Sequence, residues 1–380
     1  MSLGKVTTPF RRLVALPILL IVFALIFWPK KIPLPPASPL PVIELADLIP
    51  PPDWSQLDQF QNIVSKETFL ERLTTVYTKS DAWKQWIRVE DNHAQIGAYR
   101  LQFSPSDKPA PGALWNWKST PTSSANPLTG LHIAIDPGHI GGDYAKLEER
   151  HHEYPGIPPI QEGTMTLKTA QLLKPLLEQQ GARVTLVRDQ LEPLTPYSPD
   201  NFNNPVLFYR TSEIRARARL VNETIQPDLV LCLHYNGTAS KTPIPGQHFH
   251  IILNGTYAPG ELANEDERFG MLQRILSGVI TEEVPLAARI ADVFSKATKL
   301  PPYTYPSFST TSQNVENNPF LWARNLLANR LYLCPVIFME PYVMNSTEFV
   351  ARFQADPDAL YREYAQAVAE GIISYYTHKS

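Results

Sequence analysis

Two histidines and two carboxylates stand where hydrolytic chemistry could be assembled. The run Ile133-Ala134-Ile135-Asp136-Pro137-Gly138-His139-Ile140-Gly141-Gly142 reads as a strand ending in a glycine-punctuated loop that carries His139. Leu231-Cys232-Leu233-His234-Tyr235-Asn236 ends a second strand on His234, and Ile337-Phe338-Met339-Glu340-Pro341 ends a third on Glu340. Glu162 opens the helical pattern that begins near Thr166. Ligands gather at the carboxyl ends of strands in α/β sheets, so these four side chains could converge. Two imidazoles and one carboxylate, with a fourth position open, form a frequent catalytic zinc set, and a further carboxylate can serve as general base. The pattern leaves other readings open. Each histidine could be structural, and Gly138, Gly141 and Gly142 could mark a tight turn or an anion-binding loop. No dinucleotide-binding fingerprint, phosphate-binding loop or G-x-S-x-G elbow occurs.

The elements that must hold these residues alternate between strand and helix. Strand-like runs fall at 132–135, 182–187, 228–233, 247–253 and 336–339, with helical patterns at 166–180, 211–224 and 285–299. A last helix starts with Asp356 as its cap and Pro357 in its first position, and buries Leu360, Tyr364, Val368, Ile372 and Tyr375. The expected fold class is α/β: a layered, twisted, mostly parallel sheet with helices on both faces, spanning 131–380. A small α+β module precedes it at 54–103, with a helix at 66–78 and a two-stranded hairpin at 87–90 and 98–103. Residues 104–130, rich in Pro, Ser and Lys, read as a linker.

Residues 1–30 read as an N-terminal membrane helix. Lys5, Arg11 and Arg12 precede an uncharged run at 13–28, which Lys30 and Lys31 close. The run is longer than a signal-peptide core and shorter than the roughly 20 residues that span a bilayer unaided. Flanking Lys and Arg can snorkel to extend it, and no small-x-small cleavage site follows. The expectation is a single-pass anchor in the cytoplasmic membrane, with the rest of the chain on the periplasmic side; secretion after signal cleavage is the alternative. Prolines crowd 31–53, which reads as an extended spacer. A net charge of −3 offers no basic footprint for nucleic acid. Cys232 and Cys334 read as small buried hydrophobes and do not fix the redox compartment.

From 131 to 376 the sequence resembles the zinc-dependent N-acetylmuramoyl-L-alanine amidases of the third type. Residues 135–142 resemble that family's first zinc-ligand loop, with Ile140 where Gly is usual. Glu162 stands where its second ligand does, ahead of Thr166-Leu167 and Leu172-Leu173. Residues 184–188 resemble the strand closing this unit. Arg217, Asn222 and residues 229–236 resemble the helix and strand that lead to the third ligand, and 336–340 with Asn345 and Glu348 resemble the strand of the catalytic glutamate. The resemblance implies zinc held by His139, Glu162 and His234, with Glu340 as catalytic base in hydrolysis of the amide between N-acetylmuramic acid and L-alanine in peptidoglycan. The sequence leaves open an activator protein as a further partner.

Three stretches depart from the family's pattern: the loop between His139 and Glu162, the shortened Pro341–Asn345 turn, and an insertion of about thirty residues after Asn254. Within the insertion, 260–283 fits an amphipathic helix with acidic ends. It is expected either to cover the groove, with Glu261, Glu265 or Glu267 approaching the metal, or to pack as a surface excursion. Asp136 and Asn236 are candidates for orienting the ligands, with local turn roles as the alternative. His151 and His152 are read as solvated loop residues. His248 and His250, and Tyr303, Tyr305 and Trp322, are read as packing residues, with a place along a substrate groove as the alternative. Other enzymatic and non-enzymatic readings are a zinc peptidase cutting another stem bond and a catalytically silent wall-binding protein.

Overall fold

The computed structural model describes residues 42–109 and 126–379; the expected anchor, most of the spacer and part of the 104–130 linker lie outside the described residues. Among the described residues no helix is long and apolar enough to cross a membrane.

Ser65 starts helix α1 (Lys66–Arg72) by accepting the Thr68 N–H at 3.2 Å. Strands β1 (Ile87–Val89), β2 (His93–Ile96) and β3 (Tyr99–Gln102) follow as an antiparallel meander. The expected hairpin thus has an additional strand between its two, in which buried Ala94 and Ile96 alternate with half-buried His93 and Gln95. This segment does not stand apart. Leu57, Phe60, Phe69, Leu73 and Leu101 join the same apolar core as the main sheet, and the Thr256 and Tyr257 N–H groups donate to the Val76 and Tyr77 carbonyls. The described residues from Val42 onward form one compact unit.

The main sheet is built from β4 (His132–Pro137), β7 (Arg183–Leu186), β8 (Leu229–Leu233), β9 (Phe249–Leu253), β10 (Gln313–Asn314), β11 (Leu321–Ala323) and β12 (Val336–Pro341), in the order β10-β11-β9-β12-β8-β4-β7. Between β4 and β7 lie a two-stranded ribbon, β5 (His151–His152) with β6 (Ile160–Gln161), and helix α2 (Glu162–Glu178). Strands β12, β8, β4 and β7 run parallel; β9 lies antiparallel to β12 and β11 parallel to β9. All five expected strands are present. Further helices are α3 (Glu213–Arg219), α4 (Glu265–Ser277), α5 (Ile280–Thr298), α6 (Leu327–Arg330), α7 (Thr347–Ala355) and α8 (Pro357–Lys379), with single turns at Leu45–Leu48 and Pro259–Leu262.

Alternation along the strands divides the core. Ile133, Ile135, Leu231, Ile251, Ile337 and Met339 face the layer containing α2, α5 and α8. Ala134, Val230, Cys232, Ile252 and Phe338 face Ala218 and Val221 from α3 and its continuation, and Ala328 beside them. Each fully buried aliphatic side chain contributes about 1.5–3 kcal/mol, so register is strongly fixed. Asp356 accepts the Ala359 N–H at 3.1 Å, as its cap position requires. The apolar stripe of α8 runs in four-residue steps to Tyr376, while Tyr375 is half-buried.

The insertion forms the expected amphipathic helix, but not a lid. Because β9 is antiparallel to β12, its carboxyl end at Leu253 lies away from the end of β12 that carries Glu340. Helix α4 therefore packs at the far end of the sheet, burying Met271, Leu272, Ile275 and Leu276. Its acidic residues have partners there: Trp54 Nε1 donates to Glu265 at 2.7 Å, and Arg330 reaches Asp266 and Glu267 at 3.1 Å each. Glu261 accepts the Ala258 N–H at 2.7 Å.

Candidate metal centre and active-site rim

His139 sits just beyond β4 with φ at +59°, a conformation that costs a non-glycine residue about 1–3 kcal/mol and persists only when its surroundings enforce it. Buried Arg217 on α3 supplies much of that enforcement. Its Nη1 donates to Asp136 at 2.9 Å and to the Pro137 carbonyl at 2.7 Å, and its Nη2 donates to the His139 carbonyl at 2.8 Å. From the other side, Arg188 Nη2 donates to the Gly163 carbonyl at 2.7 Å and Thr166 Oγ1 donates to the Gly138 carbonyl at 2.7 Å. Close approach explains two glycines. A Cβ on Gly138 would lie 2.3 Å from the His234 ring, and one on Gly163 would lie 2.3 Å from the Gly141 nitrogen.

The loop N–H groups hold an internal anion, the Glu148 carboxylate. Ile140 donates to both Glu148 carboxylate oxygens, at 2.9 and 3.0 Å, and Gly141 donates to Glu148 at 3.0 Å. The same buried carboxylate lies 3.4 Å from His139 Nδ1. Glu148 was legible in the sequence only as one acid in a long loop; its bond to the histidine loop is a tertiary contact. Burial raises its carboxyl, but His139 and the two N–H groups outweigh that and hold it below its ordinary value.

His139, Glu162 and His234 come together, each offering a ligand atom within 4.8 Å of the others. Glu162, at the start of α2, is 2 % exposed. Its Oε2 lies 3.3 Å from His139 Nε2 and its Oε1 lies 2.9 Å from His234 Nδ1. His234 ends β8 with its ring stacked on Phe338 at 4.3 Å, and edge-to-face with His139 at 5.1 Å. Burial alone would raise the Glu162 carboxyl; the two imidazoles and Arg150, 3.3 Å away, hold it low.

This donor set fits zinc. Bonds of about 2.0–2.2 Å in a tetrahedron put neighbouring ligand atoms about 3.3–3.6 Å apart, close to the His139–Glu162 spacing. His139 also has a carboxylate behind its other ring nitrogen, as metal-bound imidazoles usually do.

Glu340 is half-buried at the end of β12, two residues beyond Phe338 and on the same face. Burial raises its carboxyl, and the negative charge of Glu162 raises it further; His139, Arg150 and Arg324 offset only part of this. Directly across β9 stands His250.

Several expected helpers have other partners. Asp136 holds Arg217 and accepts the Tyr332 hydroxyl at 2.5 Å, so it supports the loop and not a ligand. Asn236 lies 2.9 Å from His248 Nε2. Asn222 binds the backbone of Leu331 and Leu333, and Asn345 accepts the Thr238 N–H. His151 and His152, expected as solvated loop residues, instead lie half-buried on β5, where pairing with β6 shields them, and His151 pairs with Glu153 at 2.8 Å.

A layered α/β sheet thus carries two imidazoles and two carboxylates at its rim, and the family can be stated. The chain belongs to the N-acetylmuramoyl-L-alanine amidase family of the third type, whose profile matches residues 133–374. The germination-specific N-acetylmuramoyl-L-alanine amidase of Bacillus subtilis is 26% identical over 163 residues, covering 43% of this chain and 56% of that protein. A probable cell wall amidase, LytH, of Staphylococcus epidermidis is 33% identical over 114 residues, covering 30% of this chain and 34% of that one. The chain thus spans about half the length of the first relative and about a third of the second. The CwlD amidase of Clostridioides difficile, solved in complex with the GerS lipoprotein, aligns over 65% of this chain and 98% of that one, at 14% identity and a TM-score of 0.45.

Proposed function

We propose that this chain is a zinc-dependent hydrolase cutting the amide between N-acetylmuramic acid and L-alanine in peptidoglycan. One observation carries the reading: within the family-matched segment, His139, Glu162 and His234 converge on the sheet rim that also bears Glu340. His139, Glu162 and His234 would hold the ion. Zinc bound there would supply a Lewis acid for the scissile carbonyl and lower the pKa of water. Glu340 takes the proton of the attacking water and returns it to the departing amine of L-alanine. A carboxyl raised by burial and by Glu162 suits both halves of that exchange. Arg150 and Glu148 keep Glu162 and His139 in place. We carry forward the N-terminal segment as a membrane tether that puts this domain on the wall side, which cell fractionation of the intact chain would test.

The test is to incubate the full-length chain with peptidoglycan, with and without a chelator, and identify products by mass. Free peptides beginning with L-alanine, lost on chelation and restored by zinc, are expected. Cleavage at another stem bond would make it a different peptidase, and binding without cleavage would make it a silent wall-binding protein.

A further inference from the structure

The rim beside Glu340 continues into a wall that the chemistry above leaves unused. His250 lies directly opposite Glu340 in the β9–β12 pair, so both side chains leave the sheet on one face, and His248 shares that face two residues earlier. The Tyr303 ring packs 4.6 Å from His248 and 5.0 Å from His250. Tyr305 follows at 4.8 Å from Tyr303 and 5.1 Å from Trp322. Trp322 Nε1 donates to the Tyr303 carbonyl at 3.1 Å, which ties the loop to β11. His250 is 2 % exposed; its Nε2 lies 3.2 Å from the Tyr305 hydroxyl, and its Nδ1 has no hydrogen-bond partner among the described residues.

Arg324 closes this wall, its guanidinium 6.0 Å over the Tyr305 ring. It differs from the other arginines of the rim. Arg150 sits 3.3 Å from Glu162 and Arg217 sits 2.9 Å from Asp136, whereas half-buried Arg324 forms no ion pair among the described residues. A half-buried guanidinium with no carboxylate in direct contact, its charge otherwise bearing on Glu340 beyond ion-pair distance, gains a charge-assisted bond once an anion docks.

We propose that Arg324, with Tyr303, Tyr305 and Trp322, binds a free carboxylate of the peptide stem. The inference rests on the amidase reading and adds which half of the substrate lies along β9 and β11. In the scissile amide the carboxyl of the sugar half is consumed by the bond itself. Free carboxylates therefore lie in the peptide half, beyond L-alanine. The planar fork of Arg324 matches a carboxylate, and the aromatic faces accept the aliphatic parts of the stem. His250 adds a polar nitrogen between that site and Glu340.

The experiment measures binding, by calorimetry, of L-alanyl-D-glutamate and of its diamide to the full-length chain. The wild type should prefer the free acid by about tenfold to a hundredfold, the usual range for a charge-assisted pair. Arg324→Gln should abolish that preference while leaving diamide binding and zinc content unchanged. Arg324→Lys, which keeps charge but loses the fork, should retain part of it. A preference that survives Arg324→Gln, or a wild type that binds both forms equally or neither, overturns the proposal. Cleavage of an N-acetylmuramoyl-L-alanyl substrate is assayed separately. Arg324-dependent acid binding without cleavage would sink the amidase reading and leave the carboxylate site standing.

Discussion

Replacing Glu148 tests whether the metal centre depends on the carboxylate behind His139. In Glu148→Ala the Ile140 and Gly141 N–H groups lose their acceptor in a buried loop, at about 1–3 kcal/mol each. The variant should therefore be less stable by about 2–6 kcal/mol, provided water does not enter the space. A second effect is distinct from this. His139 Nδ1 loses the carboxylate 3.4 Å away, so the ring is free to turn and Nε2 is no longer held toward Glu162. Losing such a partner typically costs 10–100-fold in metal affinity, or about 1.4–2.8 kcal/mol. Glu148→Gln keeps one acceptor oxygen for the N–H pair and loses the negative charge, so it should remain folded and still bind zinc about tenfold more weakly. The assay is a zinc competition titration against a chromophoric chelator, with urea unfolding of the same samples. If Glu148→Gln binds zinc within twofold of wild type, the carboxylate holds only the loop and the positioning argument is refuted.

Four further outcomes are expected. Glu340→Gln should lower kcat by roughly 10²–10⁴-fold with zinc content near wild type; activity within a few-fold would remove its role as base. His139→Ala and His234→Ala should lose zinc and activity together, as metal analysis of the purified variants would show. Leu272→Ala, on a fully buried position of α4, should destabilise the chain by about 2–5 kcal/mol without speeding hydrolysis; a faster variant would restore the lid reading. Burial, aided by His248 and Arg324, holds the His250 imidazole down to about 3, against about 6.5 when unfolded. The unfolded chain then binds more protons between those values, so stability falls as pH drops through that window. Wild type should lose about 2 kcal/mol more than His250→Asn between about pH 7 and pH 5 in urea melts, and equal losses would refute this.

The residues legible in the sequence were those whose chemistry and local pattern coincide. His139, His234 and Glu340 each follow or end an apolar strand and Glu162 opens a helix, so the pattern allowed them to meet at one rim, while the family resemblance supplied their roles. His139, Glu162 and His234 do come together. Glu148 carries no such local mark; only the fold brings it beneath His139. Strand direction was equally hidden. Apolar periodicity shows that 247–253 is a strand, but an alternating pattern reads the same in either direction. The reversal of β9 decides two functional readings at once. It sends the insertion after Leu253 to the far end of the sheet, where its acids meet Trp54 and Arg330 and cannot reach the metal ligands. It also turns the start of β9 toward the rim, which brings His248 and His250 beside Glu340 and draws in Tyr303, whose N–H donates to the Phe249 carbonyl. The short strand β11 then adds Trp322 to the same face, with Arg324 just beyond its end. The aromatic residues, for which the sequence allowed either packing or a place along the substrate, thus line the sheet face beside Glu340. The insertion, for which it allowed either a cover or a surface excursion, packs at the opposite end of the sheet.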